Sequence, residues 1–277
     1  MTVGQWKWSA IKRLCDAENP DAKVDVRILL EEILGLKSLN LSANRAVSET
    51  EISQLEAALS RRIAGEPLQY ILGKAWWMGL CLRVDERVLI PRQDTETLAE
   101  LALQFLRPIP SPRVLDLCTG SGAIGLCIAH DRSDARVTLA DISSEALEVA
   151  RENARLLGAQ VETAQGDLFA PLAGREFDLI ACNPPYIPTG EIGGLQAEVQ
   201  KEPRLALDGG ADGLDFYRRI AEEAPRYLAG GGYLLLEVGI GQAEAVVALV
   251  GGEAVRDLNG VERVVWTRRK CANAGEF

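Results

Sequence analysis

The chain has 277 residues, 47% of them hydrophobic, which is enough for a full catalytic domain and a smaller second domain. The formal net charge of −10 lies entirely in residues 76–277, because residues 1–75 carry equal numbers of acidic and basic side chains. Proteins that wrap duplex nucleic acid usually carry the opposite charge, so this balance weighs against a nucleic-acid substrate. No stretch approaches twenty uninterrupted apolar residues and residues 1–10 lack a signal-peptide core, so we expect a cytoplasmic protein.

Residues 1–75 have the apolar spacing that is typical of helices. The spacing predicts one helix over residues 3–17 and a second over residues 21–34. A third helix is predicted to begin at Ser48, because Ser48 and Glu51 form a capping-box pattern ahead of further apolar positions. We therefore expect a small helical bundle.

Residues 68–90 have a different pattern, with β-branched, aromatic and glycine residues in short runs. This composition predicts a β-hairpin connector. We place the domain boundary near residue 75, with residues 76–91 as the connector and residues 92–277 as the catalytic domain.

Predicted strands and helices alternate after a first helix at residues 95–106, which indicates a doubly wound α/β sheet. Strands are predicted at 113–117, 136–140, 160–164, 177–182, 232–238, 253–257 and 261–267, with helices at 122–130, 144–157, 214–228 and 241–250. An Asn259-Gly260 turn joins the last two strands in a tight hairpin, so the final strand should be antiparallel. Seven strands with such a hairpin favour a methyltransferase (Rossmann-like) sheet over that of a dehydrogenase.

The sequence Asn183-Pro184-Pro185-Tyr186 follows an apolar run that is typical of a buried parallel strand. Asn183 can offer its side-chain carbonyl oxygen, and the backbone carbonyl of Pro184 supplies a second acceptor. Two acceptors can bind both hydrogens of a planar NH2 group. The ring of Tyr186 can lie against a flat amide or base and exclude water.

A second candidate site is the turn that follows the predicted strand 113–117. Glycines at 120 and 122 permit positive φ and close approach of a ligand to the backbone. Asp116 at the entrance would repel a pyrophosphate but can bind the ammonium group of an amino acid. This difference favours S-adenosylmethionine over NAD as the cofactor.

Acidic residues also end the next two predicted strands. Asp141 stands where a carboxylate commonly accepts hydrogen bonds from ribose hydroxyls. Asp167 can accept a hydrogen bond from the adenine amino group, and Leu168 can press on the adenine ring. Each residue could instead be an ordinary strand-end charge, but their occurrence at successive strand ends favours a cofactor site.

Taken together, these motifs resemble the PrmC/HemK family of protein-(glutamine-N5) methyltransferases, over nearly the whole chain. The motifs that carry the resemblance are Gly65-Glu66-Pro67-Leu68-x-Tyr70-Ile71-x-Gly73, Leu89-Ile90-Pro91-Arg92-x-x-Thr95-Glu96, the loop from Asp116 to Gly122, Asp141, Asn183-Pro184-Pro185-Tyr186 and Glu202-Pro203-Arg204-x-Ala206-Leu207-x-Gly209-Gly210. The family usually has glycine where this chain has Cys118.

The resemblance implies that the cofactor is S-adenosylmethionine, held by Cys118, Thr119, Gly120, Ser121, Gly122, Asp141, Leu168 and Asn183. It implies that the residues from Asn183 to Tyr186 hold a substrate glutamine, with Asn183, Pro184 and Tyr186 as the catalytic residues. The implied substrate is the glutamine of the Gly-Gly-Gln motif in class I peptide chain release factors. The helical residues 1–75 would be the docking surface for that partner.

The sequence also allows other functions. A glutamine in a ribosomal protein or adenine in nucleic acid is an alternative acceptor, since Asn-Pro-Pro-Tyr also occurs in adenine-N6 methyltransferases. A cofactor-binding module without catalysis and an NAD-dependent oxidoreductase are less favoured. We expect no metal and no histidine base, because His130 is the one histidine and stands near a predicted helix end. Arg92 is expected either to line the cleft or to pair with Glu96.

Overall fold

The computed structural model describes residues 1–35 and 42–270. The chain divides into two compact units. The first comprises Met1–Gly73 together with Gln196–Lys201, and the second comprises Lys74–Leu195 together with Glu202–Phe277. Within the described part of the chain, no helix is long and apolar enough to span a membrane.

Three helices form the core of the first unit: α1 (Val3–Asp16), α2 (Ala22–Leu34) and α3 (Glu49–Ile63). The capping box predicted at Ser48 is present. The Ser48 hydroxyl accepts from the Glu51 backbone N–H, and the Glu51 side chain accepts from the Ser48 backbone N–H. The apolar faces meet in a cluster around the fully buried Leu14, Leu30 and Leu55. The helical bundle was thus predictable from spacing and caps.

The segment after α3 differs from the prediction. Leu68–Leu72 forms a short helix, α4, rather than part of a hairpin. Pro67 precedes it and Gly73 closes it in the left-handed conformation, with φ of 68°. The hairpin itself is shorter, consisting of β1 (Lys74–Trp77) and β2 (Leu80–Arg83). The aromatic and β-branched composition was therefore misleading for residues 68–72.

A buried ion pair ties the short segment Gln196–Lys201 to α3. The guanidinium of Arg62, whose side chain is 3% exposed, donates to Asp25 at 2.6 Å and to Glu198 at 2.5 Å. A buried guanidinium needs such partners, because a lone charge away from water is costly. Arg62 therefore holds a part of the chain far along the sequence against the helices.

The second unit is built on a seven-stranded sheet in the order β5-β4-β3-β6-β7-β9-β8. Its strands are β3 (Arg113–Leu117), β4 (Arg136–Asp141), β5 (Val161–Gln165), β6 (Phe177–Cys182), β7 (Leu228–Glu237), β8 (Glu253–Arg256) and β9 (Glu262–Arg268). Its helices are α5 (Glu96–Leu106), α6 (Ala123–Asp131), α7 (Ser144–Leu157), α8 (Asp215–Glu223) and α9 (Ala243–Val250), with short 3-10 helices between them. The alternation predicts these elements closely.

The first five strands of the sheet, β3 to β7, run parallel. The winding reverses between β3 and β6, which are neighbours although they are separated in the chain. Ligands of doubly wound sheets bind at the carboxyl ends of the strands beside such a reversal. Both predicted sites, after β3 and after β6, therefore fall at this point.

The end of the sheet follows the prediction from the Asn259-Gly260 turn. Strand β9 pairs antiparallel with β7 and with β8. Gly260 has a φ of 80°, which a glycine adopts without the steric cost of a side chain. The seven-stranded sheet with an antiparallel final hairpin is confirmed.

Candidate active site

A cavity of about 410 Å³ opens at the carboxyl ends of β3, β4 and β6. Nine of the predicted site residues line it: Cys118, Thr119, Gly120, Ser121, Asp141, Asp167, Leu168, Asn183 and Pro185. Asp116, Gly122, Pro184 and Tyr186 are not among its lining residues. The structure thus gathers most of the predicted site in one place, and four of the predicted residues do not line it.

The loop from Cys118 to Gly122 turns the chain from β3 into α6. Cys118, Gly120 and Gly122 have φ values of 60°, 53° and 85°, all in the left-handed region. A Cβ on Gly120 would meet no atom within 4 Å, so the backbone of this residue borders open space in the cavity. The loop therefore offers bare backbone to a ligand. Cys118 is held where glycine is favoured, which gives a physical reason for the glycine usual in the family.

Asp116 lies beneath the loop and is fully buried. One carboxylate oxygen accepts from the Thr119 hydroxyl at 2.5 Å and from the Gly125 backbone N–H at 2.8 Å. Burial raises the pKa of this carboxyl to about 7. Its partners are parts of the loop and of α6, so the structure shows Asp116 shaping the loop rather than facing the cavity where an ammonium group would bind.

Asp141 ends β4 and lines the cavity. Its two carboxylate oxygens each accept from a backbone N–H, of Gly120 and of Ser143, both at 2.9 Å. Each oxygen retains a further lone pair, so the fixed carboxylate can still accept hydrogen bonds from a ligand. Burial raises its pKa, against the effect of these backbone donors.

Asp167 and Leu168 follow β5 at the next position along the sheet edge. Asp167 is exposed and pairs with Arg219 at 2.8 Å. Leu168 is 4% exposed and has a φ of 47°, an uncommon conformation for a side chain of this kind. The pair gives this part of the cavity one polar and one apolar wall.

Asn183 directly follows β6, beside the point where the winding of the sheet reverses, and lines the cavity. Its amide Nδ2 donates to the Thr95 hydroxyl at 3.4 Å. The side-chain carbonyl oxygen of Asn183 has no hydrogen-bond partner among the described residues, so it is available to a ligand. The sequence placed Thr95 in a motif but did not predict this contact, since the two residues are 88 positions apart along the chain.

Tyr186 is largely buried behind Asn183, and its hydroxyl donates to Glu237 at 3.4 Å. Burial raises the pKa of the Tyr186 phenol. Gln242 holds the backbone at this point, because its Nε2 donates to the Tyr186 carbonyl at 2.9 Å and its Oε1 accepts from Gly239 at 3.0 Å. The Tyr186 ring is therefore part of the support behind the cavity.

The residues after Glu202 pack against the segment Tyr186–Ile187, which follows β6. Ile187 donates to the Leu207 carbonyl at 2.9 Å, and Gly209 donates to the Ile187 carbonyl at 2.9 Å. A Cβ on Gly209 would stand 2.7 Å from the Tyr186 Cα, which is too close for any other residue without a shift of the backbone. The glycines after Glu202 thus allow this segment to pack directly on the loop.

Arg92 lines the cavity and pairs with Glu202, not with Glu96. Glu202 also accepts from the Ile90 backbone N–H at 3.1 Å. Arg92 pairs with the distant Glu202 rather than with Glu96 because Glu202 is buried beside the cavity, with its side chain 1% exposed. His130 is exposed at the end of α6, away from these residues.

Two family models and several solved structures match this chain. Residues 93–198 match the model of the methyltransferase small domain, and residues 5–73 match that of the PrmC N-terminal domain. A Pyrococcus furiosus methyltransferase structure aligns with a TM-score of 0.51 at 16% identity, over 80% of this chain and all of that one. A T. thermophilus 16S rRNA methyltransferase aligns with a TM-score of 0.53 at 17% identity, over 71% and 50% of the two chains. At these identities the likeness concerns the fold.

The sheet, the glycine loop and the matched domain define an S-adenosylmethionine-dependent methyltransferase. The release factor glutamine methyltransferase of Geobacter sulfurreducens is 43% identical, over 90% of each chain. That of Moorella thermoacetica is 44% identical, over 89% of this chain and 88% of its own. The chain therefore belongs to the PrmC/HemK family.

Proposed function

We propose that the enzyme transfers a methyl group to the side-chain amide nitrogen (N5) of glutamine in the Gly-Gly-Gln motif of class I peptide chain release factors. The observation that carries this proposal is the Asn183 amide, whose NH2 end is bound to Thr95 and whose carbonyl end is left for a ligand. The names of the curated relatives support release factor glutamine as the acceptor.

An amide nitrogen is a poor nucleophile, because its lone pair is delocalised into the carbonyl group. The Asn183 carbonyl oxygen and the Pro184 backbone carbonyl would accept the two amide hydrogens and fix the direction of the lone pair. The cofactor supplies the methyl group on a sulfonium sulfur. As the nitrogen gains positive character, these two acceptors stabilise it more than they stabilise the ground state. The proton then leaves the methylated nitrogen to water.

The residues around the glycine loop fit the cofactor. We propose that the backbone from Cys118 to Gly122 receives its amino-acid part, because a Cβ on Gly120 would meet only open space. Asp141 would accept from the ribose hydroxyls with the lone pairs that Gly120 and Ser143 leave unused. Asp167 would accept from the adenine amino group, with Leu168 against the ring.

The predicted residues that do not line the cavity would have other roles. Asp116 and Gly122 would shape the loop, and Pro184 would contribute only its backbone carbonyl to the substrate amide. Pro185 lines the cavity beside the substrate glutamine. Tyr186 supports this segment through its ring and its contact with Glu237.

We further propose that residues 1–75 dock the release factor and that the chemistry belongs to residues 92–277, with the hairpin region 76–91 between them. The match of residues 5–73 to a separate domain model supports a distinct role. Trp8 on α1 is 71% exposed, which is unusual for so large an apolar side chain. A partner that acts in translation places the enzyme in the cytoplasm.

Full-length Trp8→Ala tests the docking role. We expect a higher KM for an intact release factor and an unchanged KM for a short Gly-Gly-Gln peptide. Trp76→Ala, at a tryptophan that is 69% exposed on β1, is the matched control in the other unit. Equal effects of Trp8→Ala on both substrates would contradict docking by this helix.

Mass spectrometry tests the reaction itself. A release factor incubated with the enzyme and S-adenosylmethionine should gain one methyl group on the glutamine of its Gly-Gly-Gln motif. The matched control is the same factor with that glutamine replaced by glutamate, which should gain none. Methylation of a ribosomal protein or of adenine in DNA, with no change to the release factor, would replace the proposal with one of those alternatives.

A further inference from the structure

Helix α8 brings two side chains, Phe216 and Arg219, to the wall of the cavity. The helix is anchored by Tyr217 and Ile220, which are fully buried. Phe216 and Arg219 are three positions apart and therefore lie on the same side of the helix. The Arg219 guanidinium carbon is 5.9 Å from the centre of the Phe216 ring, within the range of a cation–π contact. Helix α8 thus places an apolar ring and a positive charge side by side at the cavity.

The positive charge of Arg219 is bound to Asp167. Its Nη2 donates to Asp167 Oδ2 at 2.8 Å, between residues that are 52 positions apart in the chain. The backbone on either side of Asp167 is also held. The Gly166 N–H donates to the Asp141 carbonyl at 3.0 Å, and the Asp167 carbonyl accepts from the Ala170 N–H at 3.1 Å. The turn after β5 therefore fixes the backbone of Asp167, and α8 fixes its carboxylate.

Arg219 differs in this respect from the other arginines that line the cavity, whose carboxylate partners are not lining residues: Arg87 with Asp85 and Glu148, Arg92 with Glu202, and Arg204 with Asp208. Asp167, in contrast, lines the cavity itself. Its second carboxylate oxygen, Oδ1, has no hydrogen-bond partner in the described part of the chain. Arg219 therefore acts on a ligating group of the cavity and leaves one of its oxygens available.

We propose that Arg219 is a positioning residue that makes the cavity selective for an adenine base. This inference rests on the proposed placement of the cofactor, with its adenine amino group at Asp167. An ionised carboxylate can only accept hydrogen bonds, and Arg219 occupies one of its two oxygens. The remaining oxygen is held towards the base, where adenine offers an NH2 donor at its 6-position. Hypoxanthine has a carbonyl oxygen at that position, so acceptor would face acceptor and the base would be rejected.

The ion pair fixes a direction rather than the fold. The side chains of Arg219 and Asp167 are 44% and 51% exposed, so packing alone does not hold either of them. Exposed ion pairs contribute little to stability, because water screens the charges. Without Arg219, the Asp167 carboxylate could turn towards solvent. The selectivity for the base should then decrease while the fold remains intact.

Titration calorimetry on the full-length enzyme measures this selectivity as the ratio of the Kd values for S-inosylhomocysteine and S-adenosylhomocysteine. The wild type should bind the adenosine compound roughly 10- to 100-fold more tightly, since a hydrogen bond to a charged group is lost with the inosine compound. Arg219→Ala should reduce the ratio by about two- to fivefold, the range expected for an exposed ion pair. Arg219→Glu sets a like charge against Asp167 and should abolish most of the preference. Arg219→Lys keeps the charge and should retain most of it.

Arg218→Glu is the matched control, because it makes the same change of charge at the neighbouring position of α8. Arg218 pairs with Asp212 and Asp215 and does not line the cavity. This variant should keep the wild-type ratio. A merely structural role of Arg219 would lower both affinities equally in Arg219→Glu and leave the ratio unchanged, and that result would overturn the inference. The same change of ratio in Arg218→Glu would also overturn it.

Asp167→Ala separates this inference from the cofactor placement on which it rests. If the adenine amino group lies at Asp167, this variant should lose the preference as Arg219→Glu does. A wild-type ratio in Asp167→Ala would mean that the base binds elsewhere, and the proposed placement would fail together with the role of Arg219. A ratio that is lost in Asp167→Ala but kept in Arg219→Glu would leave the placement intact and refute the role of Arg219 alone.

Discussion

The cavity has a cofactor half and an amide half, and they hold their ligating groups by different means. In the cofactor half, around Cys118–Gly122, the Asp141 carboxylate accepts from the backbone N–H groups of Gly120 in the loop and of Ser143 in the turn after β4. In the amide half, the Asn183 amide is held by the side chain of Thr95. Backbone donors have fixed polarity, whereas hydroxyl and amide groups can reverse theirs. The direction of the Asp141 carboxylate is therefore fixed by the backbone, whereas that of the Asn183 amide depends on a hydroxyl group that can reverse its own direction.

The largest effect that this comparison predicts is at the cavity end of the amide half. Asn183→Ala removes the acceptor and should lower turnover by roughly 10²- to 10³-fold, the cost typical of losing one oriented transition-state hydrogen bond. Single-turnover rates on a Gly-Gly-Gln peptide measure it. The far-UV circular dichroism spectrum serves as the control and should not change, and the cofactor affinity is measured alongside because Asn183 is also an expected cofactor residue. A wild-type rate in this variant would mean that the Asn183-Pro184-Pro185-Tyr186 segment is only the end of a strand.

The sequence predicted this much of the site because its signals are local. A strand that ends in glycines, or in Asn-Pro-Pro-Tyr, can be recognised within about ten residues, and parallel strands bring their ends to one edge. The Thr95 and Glu237 contacts could not be found in this way, because they join residues 88 and 51 positions apart. A Glu at the end of β7 was a visible signal, but nothing in its neighbours tells whether it is buried.

Asp116 illustrates a second limit of sequence reasoning. Its place at the end of β3 is evident from the sequence, but an acidic residue at a strand end can face the ligand or the loop that holds the ligand. The structure shows the second arrangement, with Thr119 and Gly125 as partners. Gly125 approaches so closely that a Cβ there would stand 2.3 Å from Leu139. The direction in which the Asp116 side chain points depends on this packing of α6 on the sheet, and the spacing of residues in the sequence does not encode that packing.

The next prediction tests the charge in the amide half by stability rather than by rate. The pKa of Glu237 in the folded protein, about 7, lies above its ordinary value of 4.5. Between these values the folded state binds more protons than the unfolded state, so the contribution of this group to stability is present below pH 4.5 and is lost as pH rises through 7. Removing the titrating group in Glu237→Gln should therefore flatten the pH dependence of unfolding.

The expected difference between the two proteins is on the order of 3 kcal/mol over this pH range. Denaturant unfolding at pH 5 and at pH 8 measures it. Asp116 has a raised pKa in both proteins, so its contribution cancels in the comparison. Parallel pH dependences for the wild type and Glu237→Gln would show that Glu237 titrates as an ordinary glutamate in the folded protein.

The cofactor half should respond more moderately to a change of side chain. Asp141→Ala removes a carboxylate that can bind the ribose, and it should weaken S-adenosylmethionine binding by about 1–3 kcal/mol. Titration calorimetry measures the affinity. Asp141→Asn is the matched control, because it keeps one acceptor oxygen and nearly the same shape. Its affinity should lie between that of the wild type and that of Asp141→Ala. Equal affinity in all three proteins would mean that the backbone of the loop, and not the Asp141 side chain, determines how tightly the cofactor binds.

The smallest expected effect comes from Tyr186→Phe, and its dependence on pH distinguishes two roles for the residue. If the ring provides the support, the rate at pH 8 should fall by less than about tenfold, since the ring is retained. The Tyr186 hydroxyl donates to the Glu237 carboxylate, so its loss should raise the pKa of Glu237 further. The loss of stability on raising the pH should then be larger in Tyr186→Phe than in the wild type, and denaturant unfolding at pH 5 and at pH 8 measures it. An identical pH dependence of unfolding in the two proteins would instead show that the Tyr186 hydroxyl does not stabilise the Glu237 charge, and the ring would be left as the whole contribution of this residue.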